Sequence, residues 1–271
     1  AIDAFIEAKQ LEQALSPVGR ADRQTLIRRV YFGLLGLPPH PAEIDEFVSD
    51  SHPLAYQRLV ERLLASPRYG VRWGRHWLDI AGYADSEGAQ NEDRIRPNMW
   101  RYRDYVIRAF NDDKPYDRFL HEQVAGDELA DYQNAETITD DLYDNLVATG
   151  FLRTTPDRTF ANITNFVPDR LEVIADEIQV LSSAVLGLTI NCARCHSHKF
   201  DPISQRDYYQ LAALLKDAWD EHDWLGPQAR TLTHVTTTER LDWEQHEAKI
   251  DEQIKELNAT LAAADSDAKS K

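Results

Sequence analysis

Apolar residues recur at helical spacing along most of the chain, and this periodicity restricts the possible folds strongly. Segment 25–35 shows the pattern, with one apolar stripe made of Leu26, Ile27, Val30, Tyr31, Leu34 and Leu35. The 11 Gly and 12 Pro residues fall mostly between the periodic segments, where they end helices. No internal repeat is evident, which argues against a helical solenoid. The sequence therefore predicts an all-α fold.

Both cysteines of the chain lie in one short run, Cys192-Ala-Arg-Cys195-His196. A Cys-x-x-Cys-His run is typical of c-type haem attachment. Each thiol can add across one vinyl group of the haem, and the adjacent imidazole can then bind the iron as its proximal ligand. The run therefore predicts one covalent haem c, bound by Cys192, Cys195 and His196, with iron coordinated by His196.

Three other kinds of chemistry fit the same residues. A dithiol redox pair is one, although such a pair rarely needs a following His. A structural disulfide would close only a tiny loop and would restrict the unfolded chain little. Zinc is the third, with Cys192, Cys195, His196 and His198 as four possible ligands.

The aromatic segment 71–83 is a candidate for the opposite wall of the haem site. Helical spacing puts Trp73, His76, Trp77 and Ile80 on one face. A His on such a face is usually a packed core residue, but a haem needs an apolar wall with one nitrogen available to iron. We therefore expect Trp77 to contact the cofactor and His76 to be the distal ligand.

Met99, the only methionine, is the second candidate for the distal position. A thioether is a common distal haem ligand, although a lone Met is more often a core gap-filler. Arg101 and Arg103 are candidate partners of the haem propionates, because a guanidinium matches a carboxylate in shape and charge. Surface ion pairs with Asp104 or Asp85 are the alternative for these two arginines.

The charge balance excludes some partners. With 30 basic and 46 acidic residues, the formal net charge is −16. Such a chain does not suit nucleic acid or an anionic membrane surface, whereas it suits docking to a basic redox partner or fused domain. No apolar stretch is long enough to span a bilayer. Haem c is attached outside the cytoplasm, so we expect an exported protein, periplasmic or at the cell surface.

Other segments suggest the domain organisation. The loop 151–167 has no periodicity and is long for a compact domain, which marks it as functional or mobile. A capping box at Ser204-Gln-Arg-Asp207 starts the helix after the Cys motif. Segment 239–263 reads as a polar helix that projects or forms a coiled coil. We expect a helical haem domain at 1–220, then an irregular linker, the polar helix and a disordered tail at 221–271.

Several motifs in order resemble one known family, the planctomycete-type cytochrome C domain, long described as a domain of unknown function. They are Leu34-Leu-Gly-Leu-Pro-Pro39, Arg72-Trp73, His76-Trp77-Leu78-Asp79, Tyr83-Ala84-Asp85-Ser86 and the segments 100–107, 110–117 and 192–203. The resemblance covers about 24–215 and implies a c-type haem. It also implies that the chain is the N-terminal or middle piece of a larger multidomain protein. Ser197 departs from the Asp expected there.

These observations favour one function over two alternatives. We expect an irregular multi-helix domain that encloses one c-type haem and transfers electrons. A haem enzyme or sensor with an open distal side is the first alternative, either peroxidase-like or a partner in oxidative polymer breakdown. In that case His76 with Arg101 or Arg103 would serve as acid/base and charge stabiliser. An interaction scaffold stabilised by a metal is the second alternative.

Overall fold

A computed structural model describes the backbone of residues 2–88, 93–160, 164–227, 229–231 and 235–269, with side chains up to 262. The α-helices in these ranges are α1 (Ile2–Glu12), α2 (Arg23–Leu35), α3 (Pro41–Ser49), α4 (Ala55–Leu64), α5 (Pro67–Ile80), α6 (Met99–Asn111), α7 (Tyr116–Ala125), α8 (Asp140–Ala148), α9 (Val167–Leu181), α10 (Gln205–Leu214) and α11 (Thr237–Lys269). The described ranges contain no strand, only an isolated bridge between Ser86 and Ile95. The predicted all-α class is confirmed.

Short turns of other helical types join several of these helices. They are 3₁₀ turns at Gly126–Glu128, Thr149–Arg153, Arg158–Phe160 and Asn191–Arg194, and a π-turn at Ser182–Leu186. Gly187 follows the π-turn with φ of 65°, a left-handed conformation that glycine adopts without strain. The α-helical part of α9 therefore ends at Leu181, one π-turn before Gly187.

The described chain divides into two compact units, Ala1–Trp73 and Gly74–Lys271. The core of the first unit is built by α2, α3 and α4, and its buried apolar residues are Ile27, Tyr31, Phe47, Ala55, Leu59 and Leu63. The sequence did not indicate this division. The boundary expected near residue 220 stays a prediction.

The larger core of the second unit lies among α5, α6, α7 and the segment from α8 to Arg153. Its buried polar groups are hydrogen-bonded, as buried polar groups must be. The Trp77 indole donates to Gln123 Oε1 at 3.0 Å and to the Tyr102 hydroxyl at 2.9 Å. The Tyr105 hydroxyl donates to Glu122 at 2.8 Å. This part of the core is therefore fixed by directional contacts as well as by packing.

The buried face of α5 differs from the predicted one. Trp77 is 7% exposed and Leu78 9%, whereas Trp73 is 37% and Ile80 50% exposed, and His76 is exposed. Gly74 is buried against α6, where an added Cβ would lie 3.4 Å from Val106 Cγ1. The stripe of Gly74, Trp77 and Leu78 therefore packs toward α6. Trp73, His76, Trp77 and Ile80 do share a face of this α-helix, as their spacing predicts, but Trp77 alone among them is buried.

A second core in the same unit packs α9 and α10 around the Cys motif. Its buried residues are Ile174, Ile178, Ile190, Ala193, Tyr208 and Trp219. The predicted capping box is confirmed at the start of α10, where Ser204 and Asp207 bond each other's backbone N–H. The attachment motif therefore lies between two helices whose positions are fixed by a common core.

The polar helix predicted over 239–263 is confirmed and is longer, as α11. In the described part of the chain, no helix is both long enough and apolar enough to cross a membrane.

Candidate functional site

The Cys motif is held through its backbone and its two non-reactive residues. Ala193 is fully buried in the core between α9 and α10. The Arg194 carbonyl accepts from Gln205 Nε2 at 3.1 Å and from the Tyr209 hydroxyl at 3.2 Å. The Arg194 guanidinium forms two bonds with Glu172 of α9, at 2.9 and 2.7 Å. These contacts fix the turn without using either thiol.

Both thiols are free and exposed. Cys192 lies inside the 3₁₀ turn Asn191–Arg194, and Cys195 caps it. Side chains three residues apart are eclipsed in a 3₁₀ turn, so the two thiols lie on one side of it. The intervening Ala193 faces the core instead. The turn therefore presents two thiols together to the outside.

His196 is exposed, and its ring has one nitrogen engaged. Nδ1 lies 2.8 Å from the Ser197 carbonyl oxygen. A carbonyl can only accept, so this bond requires the proton on Nδ1 and leaves the lone pair of Nε2 for a metal. Metal-binding histidines commonly donate their other N–H to such a partner, which fixes the tautomer. The residues present therefore fit a c-type haem: two free thiols and an imidazole in a ligating tautomer.

His198 has a structural role in the turn that follows. Its Nδ1 accepts from the backbone N–H of Phe200 at 3.3 Å and of Asp201 at 2.9 Å. An acceptor nitrogen carries no proton, so the 3.2 Å approach of Asp201 Oδ2 to the same Nδ1 is not an ion pair. The His198 ring thus orders the loop next to the motif.

The zinc and disulfide alternatives find no support in the described residues. Nowhere in that part of the chain do three or more His, Cys, Asp or Glu side chains form a group that could hold a metal ion. Cys192 and Cys195 are not bonded to each other.

Two carboxyl groups of α9 have pKa values shifted in opposite directions. Hydrogen bonding to Arg194 lowers the pKa of Glu172, which is on the exposed side of the helix. Burial raises the pKa of Glu177 to about 8, against the opposing effect of the hydrogen bond from the Thr155 backbone N–H and the charge of Arg153. Five residues of α-helix separate the two positions by about 140° and ~7.5 Å, so α9 presents them in different directions.

The residues predicted for the distal side are spread over two helices. His76 is exposed on α5. Trp77 is in the core, with its indole N–H already donating to Gln123 and Tyr102. Met99 begins α6 and is half-buried.

Met99 and Arg101 line one cavity of about 630 Å³. We call it the arginine cavity because its lining includes Arg94, Arg96, Arg101, Arg153 and Arg230. Cys192, Cys195 and His196 are not among the residues that line it. Arg101 also donates to the Tyr143 hydroxyl at 3.0 Å. The structure thus groups Met99 with Arg101 in a cavity whose lining does not include the motif.

Arg103 lies outside the lining of this cavity. It forms an ion pair with Asp104 at 3.1 Å and a looser one with Asp85 at 4.0 Å. These are the surface pairs that the sequence offered as the alternative to a propionate contact.

The sequence did not single out the polar residues of the arginine cavity: Glu87, Arg96, Arg153, Thr155, Asp157, Glu177 and Arg230. One signal pointed toward them, the long aperiodic loop 151–167, which contributes three of these seven residues. The rest come from segments far apart in the chain and look like ordinary surface charges in sequence.

Comparison with known families identifies this chain at the family level. The model of PSCyt2, described as a protein of unknown function (DUF1549), matches residues 1–219. The chain belongs to this family, which confirms the resemblance carried by its motifs. The family's name points to a cytochrome-like domain. No curated protein matches the chain, and no solved structure does.

Proposed function

We propose that this chain is a monohaem c-type cytochrome domain that transfers electrons through a covalently attached haem. One observation carries the proposal: two free, exposed thiols lie on one side of a fixed turn, beside an imidazole whose Nε2 is available. The haem, when bound, supplies one-electron redox chemistry.

The chain's own residues would orient the proximal ligand. The Ser197 carbonyl accepts from His196 Nδ1, which holds the ring in one tautomer and makes Nε2 a better donor to iron. The Arg194–Glu172 pair and the buried Ala193 keep the turn in place while the thiols react. Because these contacts use neither thiol, Cys192 and Cys195 stay accessible for haem attachment.

Exposed apolar side chains near the motif in sequence support an apolar cofactor at this surface. Phe200 is 84% exposed, Leu186 59% and Leu188 39%. Large exposed apolar side chains beside an attachment motif are candidates for burial by a bound group. A haem attached at Cys192 and Cys195 would cover apolar surface next to the motif.

Of the two predicted distal ligands, we propose His76. Its imidazole is exposed on α5. Met99 instead lines the arginine cavity, whose lining does not include the motif. The contacts that the sequence predicts between the cofactor and Arg101, Arg103 and Trp77 are not part of this proposal, because each side chain already has a partner within the chain and Arg101 lines the arginine cavity.

We propose a basic electron-transfer partner, or a fused domain, in an exported protein. The formal net charge of −16 would speed association with a basic surface. The exchange rate should therefore fall as salt is added.

We also propose that α11 projects or pairs as a coiled coil. Ile250, Ile254, Leu257 and Leu261 recur at alternating spacings of four and three. Three of them are strongly exposed: Ile254 at 50%, Leu257 at 69% and Leu261 at 70%.

The test is haem attachment in a bacterial host that exports the chain and carries the c-haem maturation machinery. The wild-type chain should keep one haem after denaturation. Cys192→Ser and Cys195→Ser should each leave at most one covalent link, and the double variant none. His196→Ala should lose the proximal ligand and give an altered, largely high-spin spectrum or no mature protein.

His222→Ala is the matched control, because the side chain of His222 is 72% exposed and lies outside the motif. It should keep the wild-type haem content and spectrum. His76→Ala should convert six-coordinate iron to five-coordinate iron, whereas Met99→Leu should leave the spectrum unchanged. Haem retained by the double cysteine variant in denaturant would overturn the proposed attachment site.

A further inference from the structure

The arginine cavity is large enough for an organic ligand. Its volume of about 630 Å³ lies within the roughly 300–1,000 Å³ typical of small-molecule sites. Residues from the loop before α6, from α6 and α8, from the segment 149–160, from α9 and from the segment before α11 form its wall. It lies wholly within the unit Gly74–Lys271 and excludes the attachment motif.

Unpartnered buried polar atoms concentrate at this cavity. Within the described residues, Arg153 Nη1, Thr155 Oγ1 and Arg230 Nη2 are buried and have no hydrogen-bond partner. All three residues line the cavity. Leaving such groups unbonded in a buried site is unfavourable, and more so for charged groups. A ligand that accepts hydrogen bonds from them would remove this cost.

The two guanidinium groups are held in place by their other nitrogens. Arg153 Nη2 donates to the Ala218 carbonyl. Arg230 Nε donates to the Leu225 carbonyl at 2.6 Å, and its Nη1 bonds Asp157. The Arg230 guanidinium also lies 4.4 Å from the centre of the Trp224 ring. Donors positioned in this way lose little freedom when a ligand binds.

The acidic side chains of the cavity do not cancel its positive charge. Glu87 accepts from the Asp157 N–H at 2.7 Å and pairs with Arg96 at 3.2 Å. Asp157 is bonded by Thr159 and Arg230. Burial raises the pKa of Glu177, which favours its neutral form. Five arginines therefore face three carboxyl groups in the lining.

Apolar side chains form the rest of the wall, among them Ile95, Met99, Tyr102, Val147 and Phe160. An inorganic anion would leave this apolar surface and most of the volume unused. A molecule with an apolar or aromatic body and one anionic end would satisfy both parts of the lining.

We propose that the arginine cavity binds a small organic oxyanion, with its charged end between Arg153, Thr155 and Arg230 and its apolar body against the remaining wall. This goes beyond the proposed electron transfer and does not depend on it, because the cavity excludes Cys192, Cys195 and His196.

The experiment is titration calorimetry of the full chain with probes that share one body and differ in the charged group. The probes are 1-naphthoate, 1-naphthalenesulfonate, 1-naphthyl phosphate and the neutral 1-naphthamide. At least one anion should bind with one-to-one stoichiometry, and naphthamide should bind about 10-fold or more weakly than it. The ranking of the three anions identifies the oxyanion that the site prefers.

Variants locate the binding. Arg153→Lys and Arg230→Lys keep the charge but lose the guanidinium fork, so each should weaken the best probe about 10-fold. Thr155→Val should weaken it by a smaller factor. Arg170→Lys is the matched control: Arg170 also donates to backbone carbonyls, of Glu221 and Asn165, and lies outside the cavity.

Three results would overturn the proposal. One is no binding of any anion to the folded wild-type chain, and another is equal binding of naphthamide, which would indicate an apolar pocket only. The third is an equal loss in Arg170→Lys, which would indicate a general charge effect. Circular dichroism of every variant separates loss of binding from loss of fold.

Discussion

The attachment motif and the arginine cavity both contact α9, yet they hold their functional groups in opposite ways. At the motif, Cys192, Cys195 and His196 are exposed, and the surrounding contacts hold the backbone, Arg194 and one nitrogen of the His196 ring, but neither thiol. In the cavity, the polar side chains themselves are buried and bonded, with single donor atoms left over. The first arrangement suits a group attached from outside. The second suits a ligand that enters a preformed site.

The difference also determines what each region contributes to stability. Ion pairs near the motif are exposed, and exposed pairs typically contribute about 0.2–1 kcal/mol. Pairs at the cavity are buried, and breaking one leaves a charge without its partner, which typically costs about 3–5 kcal/mol. Substitutions near the motif should therefore affect haem attachment with little loss of stability, whereas substitutions of the buried pairs at the cavity should mainly lower stability.

The largest effect is expected for Arg96→Met at the cavity. Arg96 and Glu87 side chains are each 8% exposed, and Arg96 also donates to the carbonyls of Thr154 and Arg153. The substitution leaves Glu87 buried without its cation, so the free energy of unfolding should fall by about 3–5 kcal/mol. Urea unfolding measures this. Arg103→Met, which breaks only surface pairs, is the control; an equal loss in both would remove the contrast between the regions.

Glu177→Gln should change how stability depends on pH. Burial raises the folded-state pKa of Glu177 to about 8 from its usual 4.5, so between these two pH values the folded state holds the proton while the unfolded state has lost it. As pH rises between these two values, the free energy of unfolding of the wild type should therefore fall by up to about 1.4 kcal/mol per pH unit. The Gln variant should lack this slope. Parallel stability curves for the two proteins across this window would contradict the buried, protonated state.

Trp77→Phe tests whether the Trp77 side chain contacts the protein core or the haem. The change removes the indole that donates to Gln123 and Tyr102 and leaves a small void, so stability should fall by about 1–3 kcal/mol. Haem content should stay at the wild-type level. A shifted haem spectrum with little loss of stability would instead place Trp77 against the cofactor.

The smallest effect is expected for Glu172→Gln beside the motif. The side chain of Glu172 is 70% exposed, so loss of its pair with Arg194 should cost about 0.2–1 kcal/mol. The pKa of Glu172 is lowered by Arg194, so the pair stabilises the protein above the ordinary Glu pKa and is lost as pH falls. The pH effect is thus opposite in sign to that of Glu177. A loss above about 2 kcal/mol would mean that the motif is held more tightly than its exposure indicates.

Local features of this protein were readable from sequence. The capping box of Ser204 and Asp207 and the periodicity of α2 depend on residues a few positions apart, and both were predicted. The Cys motif is equally local. The resemblance of the chain to its family, which several separate motifs carry, is confirmed by the match over residues 1–219.

Features that depend on packing between distant segments were not readable. On α5, Trp73, His76, Trp77 and Ile80 share a face as their spacing predicts, but the buried stripe is that of Gly74, Trp77 and Leu78. The arginine cavity joins positions as far apart as Glu87 and Arg230. In a chain with 76 charged residues, nothing in the sequence distinguishes the few that become buried.

Optical and electron paramagnetic resonance spectra of the purified chain, oxidised and reduced, test the central claim most directly. We predict a covalently attached haem whose iron is low-spin and six-coordinate in both states and does not bind carbon monoxide readily. High-spin iron that binds carbon monoxide or peroxide quickly would contradict electron transfer and favour a haem enzyme or sensor. A chain matured in a competent host without covalent haem would contradict both.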